Sequence, residues 1–399
     1  MAKYVSSRRQ FLHTSSLLAG GSLLSLPSAA QSAAGSIRIT NVETIALGFE
    51  TLNPHSDAIH LFNNRGAVVT KVHTDAGITG WGHSYFGTIP NGPKTLKYLI
   101  DQELAPIIIG QDPFDSRKIR ADLWRATEYQ GVSGLTHFGI SAIDTAIWDI
   151  VGKALELPVH KVLGSCHDRL PAYAMVGWYF GTPEEYADSC REAVDEGFRA
   201  IKIKVGAGLL SDDLRRLETA RKTVGPDVRL MADANQALSV QEAIRRGRAY
   251  EDYDLFWFEE PLPPWEKGGY AELTRTLDVP IATGENEYTK YAFKDLIERD
   301  AVDIVQPDIR RAGGVLEWLE IGAIAKAFGK PLASHGGGPP QLNILCAIPA
   351  AIYMESGSLK GQSSRPEKLR LVEGEVLAPT MPGMGSEYTP DYIEKNRIG

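Results

Sequence analysis

The chain has few cysteines, no surplus of positive charge and no apolar run long enough to cross a bilayer as a mature helix. Its three cysteines, Cys166, Cys190 and Cys346, are odd in number and far apart, so the sequence indicates neither a disulfide framework nor a thiolate metal site, and we predict that they are buried small apolar residues. A formal net charge of -8 gives no electrostatic case for a nucleic-acid partner. With 399 residues and 43% hydrophobic content, the chain can bury a large core in more than one domain.

Residues 1–35 are interpreted as a twin-arginine export signal and a linker. The segment from Ser7 to Leu12 (SRRQFL) carries the arginine pair, and the apolar stretch from Leu17 to Leu26 is too short to span a bilayer. Small residues near Ala30 and Ala34 offer cleavage sites. The order of these features predicts a periplasmic or secreted protein with no membrane attachment once the signal is removed. That export route carries folded proteins.

A repeat dominates the second half of the chain, where each of six charged or titratable residues ends a short apolar run. The intervals of about 20 to 30 residues match one strand and one helix each, and helix-start signals such as Thr182, Pro183 and Glu185 lie between the runs. Strands that alternate with helices predict a parallel sheet. If the sheet closes into a barrel, these side chains meet at one mouth, where such barrels hold their chemistry. The six residues are Lys204, Asp233, Glu259, Glu285, Asp308 and His335.

The repeat sets the predicted domain organisation. Residues 36–163 lack it and are predicted to form an α+β domain, with a helix from Phe138 to Leu155. Asp144 and Asp149 on that helix are interpreted as surface or capping carboxylates rather than metal ligands. Residues 164–355 are predicted to form the barrel, and the Gly- and Pro-rich residues 356–399 to pack back onto the first domain.

Asp233, Glu259 and Glu285 stand at successive strand ends. Any one of them alone would be a common solvated carboxylate. Three at matching positions, behind runs that bury their strands, form a hard-oxygen set that suits Mg²⁺, and no His or Cys competes for a softer metal. The sequence therefore predicts a magnesium site.

Lys202 and Lys204 are two residues apart on one strand, so they point to the same face, while Ile201 and Ile203 point to the other. An ordinary half-exposed strand would turn the lysines outward. In a closed barrel the isoleucines pack on the helices and the lysines lie inside. Mutual repulsion and desolvation would lower the pKa of a lysine toward that of a base, whereas the nearby carboxylates would raise it. The sequence leaves the net direction open.

Asp308 and His335 are predicted to act as a pair. A carboxylate bonded to one ring nitrogen fixes the histidine tautomer and leaves the other nitrogen for proton transfer. Three glycines follow His335 and permit close approach of the backbone. A structural histidine is the competing interpretation.

Taken together, these motifs resemble the enolase superfamily and, within it, the mandelate racemase group. The related muconate-cycloisomerase group has a Lys where this chain has Asp308 and His335. The resemblance implies an α+β capping domain on a modified (β/α)₇β barrel, in the TIM-like α/β class, and a homo-oligomer. The matching motifs are Trp81 to Tyr85 (WGHSY), Lys202 to Lys204 (KIK), Asp233 to Asn235 (DAN), Glu259 to Pro261 (EEP), Gly284 to Asn286 (GEN), Gln306 to Asp308 (QPD) and Ser334-His335.

The resemblance also implies roles for the site residues. Mg²⁺ on the three carboxylates would bind a small-molecule carboxylate, and a base would remove the adjacent α-proton to give an enediolate. Lys204 would be the base on one face and His335 on the other, with Asp308 tuning His335. Lys202 would contact the substrate carboxylate, Glu355 would donate a hydrogen bond to it, and Tyr85 is expected to contact the substrate.

Bases on both faces permit two reactions. Loss of a β-hydroxyl gives dehydration of a sugar acid to a 2-keto-3-deoxy acid, which we favour, and proton return from the opposite face gives racemisation or epimerisation of a 2-hydroxy acid. Met175 to Gly177 replaces a substrate-contacting serine of the racemase, and a polar loop could receive sugar hydroxyls. Two more interpretations stay open, namely an aromatic pocket formed by Phe49, Phe86 and Trp178, and a catalytically silent carboxylate-binding protein. The loop residues are His55, Asp57, His60, Asn63, Asn64 and Arg65.

Overall fold

A computed structural model describes residues 36–85, 87, 89–360, 362 and 364–399, without the side chains of residues 50–54. The predicted export signal lies outside these residues. Within the described part of the chain, no helix has both the length and the apolar character that a bilayer crossing requires. Residues 37–399 form one compact unit.

The unit begins with an antiparallel sheet of three strands, β1 to β3, in sequential order. A long helix, α4, packs on β3 so closely that a Cβ atom at Gly82 would overlap the carbonyl oxygen of Ala142. Glycine is therefore required there, within the WGHSY motif. These strands and helices form the capping domain: β1 Ile39–Ser56, β2 Leu61–Thr74, β3 Thr79–Ser84, α1 Gly92–Leu99, α2 Ala105–Ile108, α3 Ser116–Thr127, α4 Leu135–Ala154 and α5 Val159–Leu163, with short helical turns at Ile100–Leu104, Pro113–Asp115 and Glu128–Gln130.

Eight parallel strands follow and form a closed barrel. Each strand pairs with the next in sequence, and the last returns to the first, with Met354 opposite Ala172. Both the predicted (β/α)₇β barrel and the capping domain are confirmed. The strands are β4 Arg169–Met175, β5 Ala200–Lys204, β6 Arg229–Asp233, β7 Leu255–Glu259, β8 Ile281–Thr283, β9 Ile304–Val305, β10 Leu332–Ala333 and β11 Ala351–Ser356.

Helices cover the outside of the barrel, and local signals set their ends. Thr182 and Glu185 form the predicted reciprocal capping box at the start of α6, and Gly197 ends that helix with a left-handed conformation. The helices are α6 Pro183–Glu196, α7 Leu210–Val224, α8 Val240–Tyr250, α9 Lys267–Thr276, α10 Thr289–Glu298, α11 Ile309–Ala312, α12 Val315–Ala327 and α13 Pro339–Leu345, with a 3₁₀ turn at Glu251–Tyr253.

Large side chains fill the barrel below its mouth. Tyr173, Trp257 and Tyr353 pack edge to face in this interior cluster, with ring centroids 5.2 to 6.2 Å apart. Because the floor is packed, the polar residues at the strand ends rest on a rigid apolar base.

The last segment contacts both parts of the fold. Strands β12 (Leu371–Val372) and β13 (Glu375–Leu377) form a hairpin, and β13 pairs antiparallel with β4. On the final helix, α14 (Pro390–Asn396), Ile393 packs in a cluster with residues of β1 and β2. The domain boundaries inferred from the sequence stay predictions.

Two interpretations of single residues need correction. Cys190 and Cys346 are buried as predicted, but Cys166 is exposed, because it lies in the connection that leads into β4. Asp144 and Asp149 are buried, because α4 is covered on nearly all sides, so the surface alternative is wrong and the capping alternative fits Asp144.

These two buried aspartates accept hydrogen bonds from backbone amides outside their own helix. Asp144 accepts hydrogen bonds from the amides of Val315 (2.6 Å) and Leu316 (3.3 Å), the first residues of α12. Asp149 accepts from the amides of Trp81 (2.9 Å) and Met384 (2.7 Å). Both carboxylates therefore satisfy backbone groups of neighbouring segments, and neither belongs to a metal cluster among the described residues.

Candidate active site

Three carboxylates meet at the mouth of the barrel. Asp233 and Glu259 are the last residues of β6 and β7, and Glu285 follows β8 by two residues. One oxygen from each lies within 4.8 Å of the others, and all three side chains are buried. In the part of the chain that the structure describes, this is the one group of three or more His, Cys, Asp or Glu with metal-binding geometry. Its all-oxygen donor set fits Mg²⁺.

Glu259 is oriented by groups from three strands. Its Oε2 atom accepts hydrogen bonds from the indole of Trp257 (2.9 Å) and the side-chain amide of Gln306 (2.8 Å). Its Oε1 atom contacts the ammonium of Lys202. Gln306 lies in the QPD motif, but nothing in the sequence indicates that its side chain reaches the metal ligands from β9.

The two lysines of β5 point into the barrel. The Nζ atom of Lys202 lies 3.1 Å from Glu355 and 3.3 Å from the hydroxyl of Tyr173. The Nζ atom of Lys204 lies 2.6 Å from Asp233 and 4.8 Å from the ring centre of Trp178. Ile201 and its neighbour Ile203 pack outward in the core beneath the helices.

The sequence left open whether the pKa values of the two lysines are raised or lowered. In the structure both are raised. Burial by itself lowers the pKa of both ammonium groups. The carboxylates of Glu259 and Glu355 outweigh burial at Lys202, and Asp233 outweighs it at Lys204, so that both pKa values are raised.

Asp308 and His335 form the predicted hydrogen bond, 2.7 Å from Oδ2 to Nδ1. The other ring nitrogen, Nε2, lies 3.2 Å from Glu285, so it faces the ligand cluster. Arg310 chelates the same aspartate, with Nε 2.9 Å from Oδ1 and Nη2 2.6 Å from Oδ2. Burial alone would raise the pKa of Asp308, but Arg310 and His335 outweigh it and hold that pKa well below its usual range. Asp308 is therefore an anion that fixes the histidine ring.

Glu355 lies in β11, beside the first barrel strand. It accepts hydrogen bonds from Tyr173 (2.9 Å) and Lys202 (3.1 Å). Burial would raise the pKa of Glu355, but Lys202 and His335 outweigh it and lower the pKa to about 2. The carboxylate is thus ionised and accepts hydrogen bonds here, so its predicted role as a donor to substrate stays a prediction. A Cβ at Gly337 would overlap the Glu355 carbonyl, which explains one of the three glycines after His335.

Six of these residues line a cavity of about 840 Å³ between the barrel mouth and the capping domain, namely Lys202, Lys204, Asp233, Glu285, His335 and Glu355. The capping side is the lid segment, residues 55–65, from which His55, Asp57, His60 and Arg65 reach the cavity. Asp57 bonds to His60 at 3.0 Å. The backbones of Ser56 and Tyr179 are paired, which joins the lid to the loop after β4. Four residues of the predicted polar loop therefore form a wall of the cavity, whereas Asn63 and Asn64 do not line it and belong, with Arg65, to β2.

Tyr85 also lines the cavity, although its ring packs mainly against Phe138 at 6.0 Å and is 7% exposed. Met175 and Trp178 line it as well. Phe49 does not take part in an aromatic pocket, because it stacks on Tyr392 of the last helix, and Phe86 lies outside the described residues.

Sequence reasoning missed two cations of the site. Arg310 and Arg311 follow Asp308, and both line the cavity. Arg311 donates to the Glu285 carbonyl (2.9 Å) and lies 3.5 Å from its carboxylate. The signal was present as a charged pair two and three residues after a predicted catalytic residue, but charge runs of that kind are common on solvated surfaces.

Family models match most of the chain. The model for the N-terminal domain of mandelate racemase and muconate lactonizing enzyme matches residues 40–164, and that for the enolase C-terminal domain-like group matches residues 185–392.

Individual proteins give the same result. The chain is 31% identical to an arabinonate dehydratase of Saccharolobus solfataricus over 87% of its length and 96% of the relative's. It is 31% identical to a D-galactarolactone cycloisomerase of Agrobacterium fabrum, covering 91% and 99%. Among solved structures, a variant of L-talarate/galactarate dehydratase liganded with Mg and L-glucarate matches with a TM-score of 0.86 and 28% identity, covering 96% of this chain and 97% of that one.

Proposed function

Because this chain belongs to the enolase superfamily, in its mandelate racemase and muconate lactonizing enzyme family, we propose that it is a magnesium-dependent dehydratase of sugar acids. One observation carries the proposal most directly. Lys204 and His335 approach the ligand cluster from different strands, one beside Asp233 and the other beside Glu285. The site thus offers one group to take a proton and a second to give one back.

Each residue has a distinct task in the proposed reaction. Lys202 binds the substrate carboxylate. The Nζ atom of Lys204 accepts the α-proton in its neutral form, which is the minor form while the Asp233 carboxylate raises its pKa. Asp233, Glu259 and Glu285 would hold Mg²⁺, which would stabilise the negative charge that develops on the substrate carboxylate.

The second half of the reaction needs an acid. The Nε2 atom of His335 delivers a proton to the β-hydroxyl, which leaves as water, and the resulting enol becomes the 2-keto acid. Asp308 holds Nδ1 throughout, so the ring presents Nε2 to the substrate. The polar lid supports dehydration over racemisation, because its side chains can bind the hydroxyls of a sugar acid.

The proposal can be tested with the mature protein, Mg²⁺ and a pooled set of sugar acids and simple 2-hydroxy acids in D₂O. Loss of water with formation of a 2-keto acid, seen by mass spectrometry, supports a dehydratase. Deuterium at the α-carbon without loss of water points to a racemase or epimerase, and ring closure or opening without other change to a cycloisomerase. If none of these acids exchanges its α-proton while Mg²⁺ binds, the proposal fails. A Lys204→Met, His335→Asn double variant is the background control.

We also propose that the protein is exported by the twin-arginine route. The motif at Arg8 and Arg9 and the apolar segment after it support this. Replacing both arginines by lysine should leave the activity in the cytoplasmic fraction, whereas the unaltered chain should deliver it to the periplasm or medium. Equal distribution of both forms would contradict export by this route. Homo-oligomer formation stays a prediction.

A further inference from the structure

An arginine lies on the lid side of the cavity. Arg65, near the start of β2, bonds through Nη2 to the ring nitrogen Nε2 of His55. Its guanidinium carbon lies 5.0 Å from the ring centre of Phe62 and 5.9 Å from that of Trp178. His55 itself packs against Trp178 at 4.7 Å. The aromatic rings therefore hold Arg65 in one place against the cavity, which limits the entropy that a ligand must remove on binding.

Arg65 lies within reach of a substrate that reacts at Lys204. The Nζ atom of Lys204 is 4.8 Å from the Trp178 ring centre, and the Arg65 guanidinium carbon is 5.9 Å from the same point. The two cations are consequently separated by no more than the sum of these distances, which is about 11 Å, a span comparable to three extended residues.

A sugar acid with six carbons is long enough to bridge this maximum separation. An extended carbon chain advances roughly 1.2 Å per bond. An α-carbon about 3.5 Å from the base places the far end of the molecule some four bonds further, within a charge-assisted hydrogen bond of ~2.8 Å from the lid cation. A sugar monoacid presents a hydroxyl there, and a sugar diacid presents a second carboxylate.

Charge and shape decide between these two groups. A guanidinium offers paired donors that match the two oxygens of a carboxylate, whereas a hydroxyl presents a single oxygen. Arg310, on the barrel side, adds a second positive charge to the surroundings of Arg65, and burial and Arg310 both lower the pKa of Arg65. A ligand carboxylate at this point would interact favourably with both guanidinium groups. The second carboxylate of a diacid is therefore the better match.

We propose that Arg65, held by His55, Phe62 and Trp178, binds the second terminal carboxylate of the substrate, so that the enzyme acts on sugar diacids in preference to sugar monoacids. This inference rests on the proposed function, since it assigns the class of acid that the same site dehydrates.

The test compares kcat/KM for matched pairs, galactarate with galactonate and glucarate with gluconate, in the Mg²⁺-loaded enzyme. We expect the diacid to be preferred by ~30-fold or more, in line with the strength of a charged hydrogen bond. Arg65→Gln should collapse that ratio to near unity, mainly by raising KM for the diacid. Arg65→Lys keeps the charge but not the paired donors and should give an intermediate ratio. Arg117→Gln removes an exposed arginine of the capping domain and should leave the ratio unchanged.

Three results would overturn the inference. They are a wild-type preference for monoacids, an Arg65→Gln variant that loses both activities in equal proportion, and an Arg65→Lys variant that behaves like wild type while Arg65→Gln does not fold. If the proposed function itself is wrong, the result differs from all three, because neither class of acid loses water although Mg²⁺ still binds.

Discussion

The ring of His335 is held by Asp308 through a 2.7 Å hydrogen bond to Oδ2, and Arg310 donates to both oxygens of the same carboxylate. The aspartate is thus shared between an imidazole that can carry a proton and a guanidinium that cannot lose one. Because Asp308 is fully buried, every one of its polar contacts comes from a defined partner. This arrangement sets both the tautomer and the direction of His335.

Asp308→Asn should keep the fold and disable the histidine. An asparagine can present its amide group to Nδ1, which favours the wrong tautomer, so we expect kcat to fall by ~10² to 10⁴-fold, the range of general acid-base catalysis. Steady-state kinetics on a turned-over sugar acid measures it. Asp300→Asn, at an exposed carboxylate paired with Lys330, is the matched control and should retain full activity. Equal activity of both variants would contradict the assignment.

Removal of the metal should abolish activity and leave the barrel folded. Glu285→Gln weakens one of three ligands, and we expect kcat/KM to fall by ~10³-fold or more, because charge stabilisation by a metal amounts to several kcal/mol. Calorimetric titration with Mg²⁺ should show weaker binding in the same variant. Treatment with a chelator should reproduce the loss in the wild-type enzyme, and added Mg²⁺ should restore it. Activity that persists after chelation would rule out a metal-dependent reaction.

Separate substitutions of the two proton-transfer groups should give different exchange patterns. Lys204→Met removes the proposed base, so α-proton exchange into D₂O should drop by ~10²-fold or more for a substrate whose proton faces Lys204. His335→Asn should stop water loss and retain part of that exchange, since the first step does not need the acid. Proton NMR of the recovered substrate reports both. Identical exchange rates in the two variants would contradict the assignment of Lys204 as the base and His335 as the acid.

Gly82→Ala should disrupt the capping domain. The new methyl group would overlap the backbone carbonyl of Ala142, and backbone cannot move aside as a flexible side chain can. We expect destabilisation of several kcal/mol, at or above the ~1–3 kcal/mol usual for overpacking. Thermal melting measures it. Gly268→Ala is the control, because that glycine of α9 has open space around its Cβ position and should gain ~0.4–1 kcal/mol.

The buried carboxyl of Asp144 should make stability depend on pH. Burial raises the pKa of Asp144 to about 7 from 3.8, in the presence of Arg120 and Glu317. The native state therefore keeps this proton at pH values where the unfolded chain has lost it, and the free energy of unfolding falls as pH rises from about 4 to about 7, then levels off. Over this pH range the free energy of unfolding should fall by about 4 kcal/mol. Asp144→Asn should remove this slope, so urea denaturation of both proteins at pH 5 and pH 8 should show stability differences that change with pH. Parallel curves would contradict the assignment.

The sequence predicted the barrel and the grouping of the three carboxylates because both depend on local pattern. A strand that ends in a carboxylate at a regular interval is visible in one dimension, and barrel closure then brings Asp233 and Glu285 together. The sequence did not identify Gln306 and Arg310 as site residues, because their contacts depend on how far a long side chain reaches across neighbouring strands. The sequence could not choose between the surface and capping alternatives for Asp144 for a similar reason, since an apolar helix pattern does not reveal which amides of other segments will face its few polar residues.

The pairing of β11 with β4 ties the site to the completion of the chain. Until residue 354 has been synthesised and has met Ala172, the sheet has two open edges whose unsatisfied amides and carbonyls can recruit other strands. A nascent chain that stops short of β11 already contains both lysines and all three metal ligands, yet it lacks the Glu355 contact to Lys202. The pairing of β11 with β4 therefore removes both open edges of the sheet and brings Glu355 to Lys202.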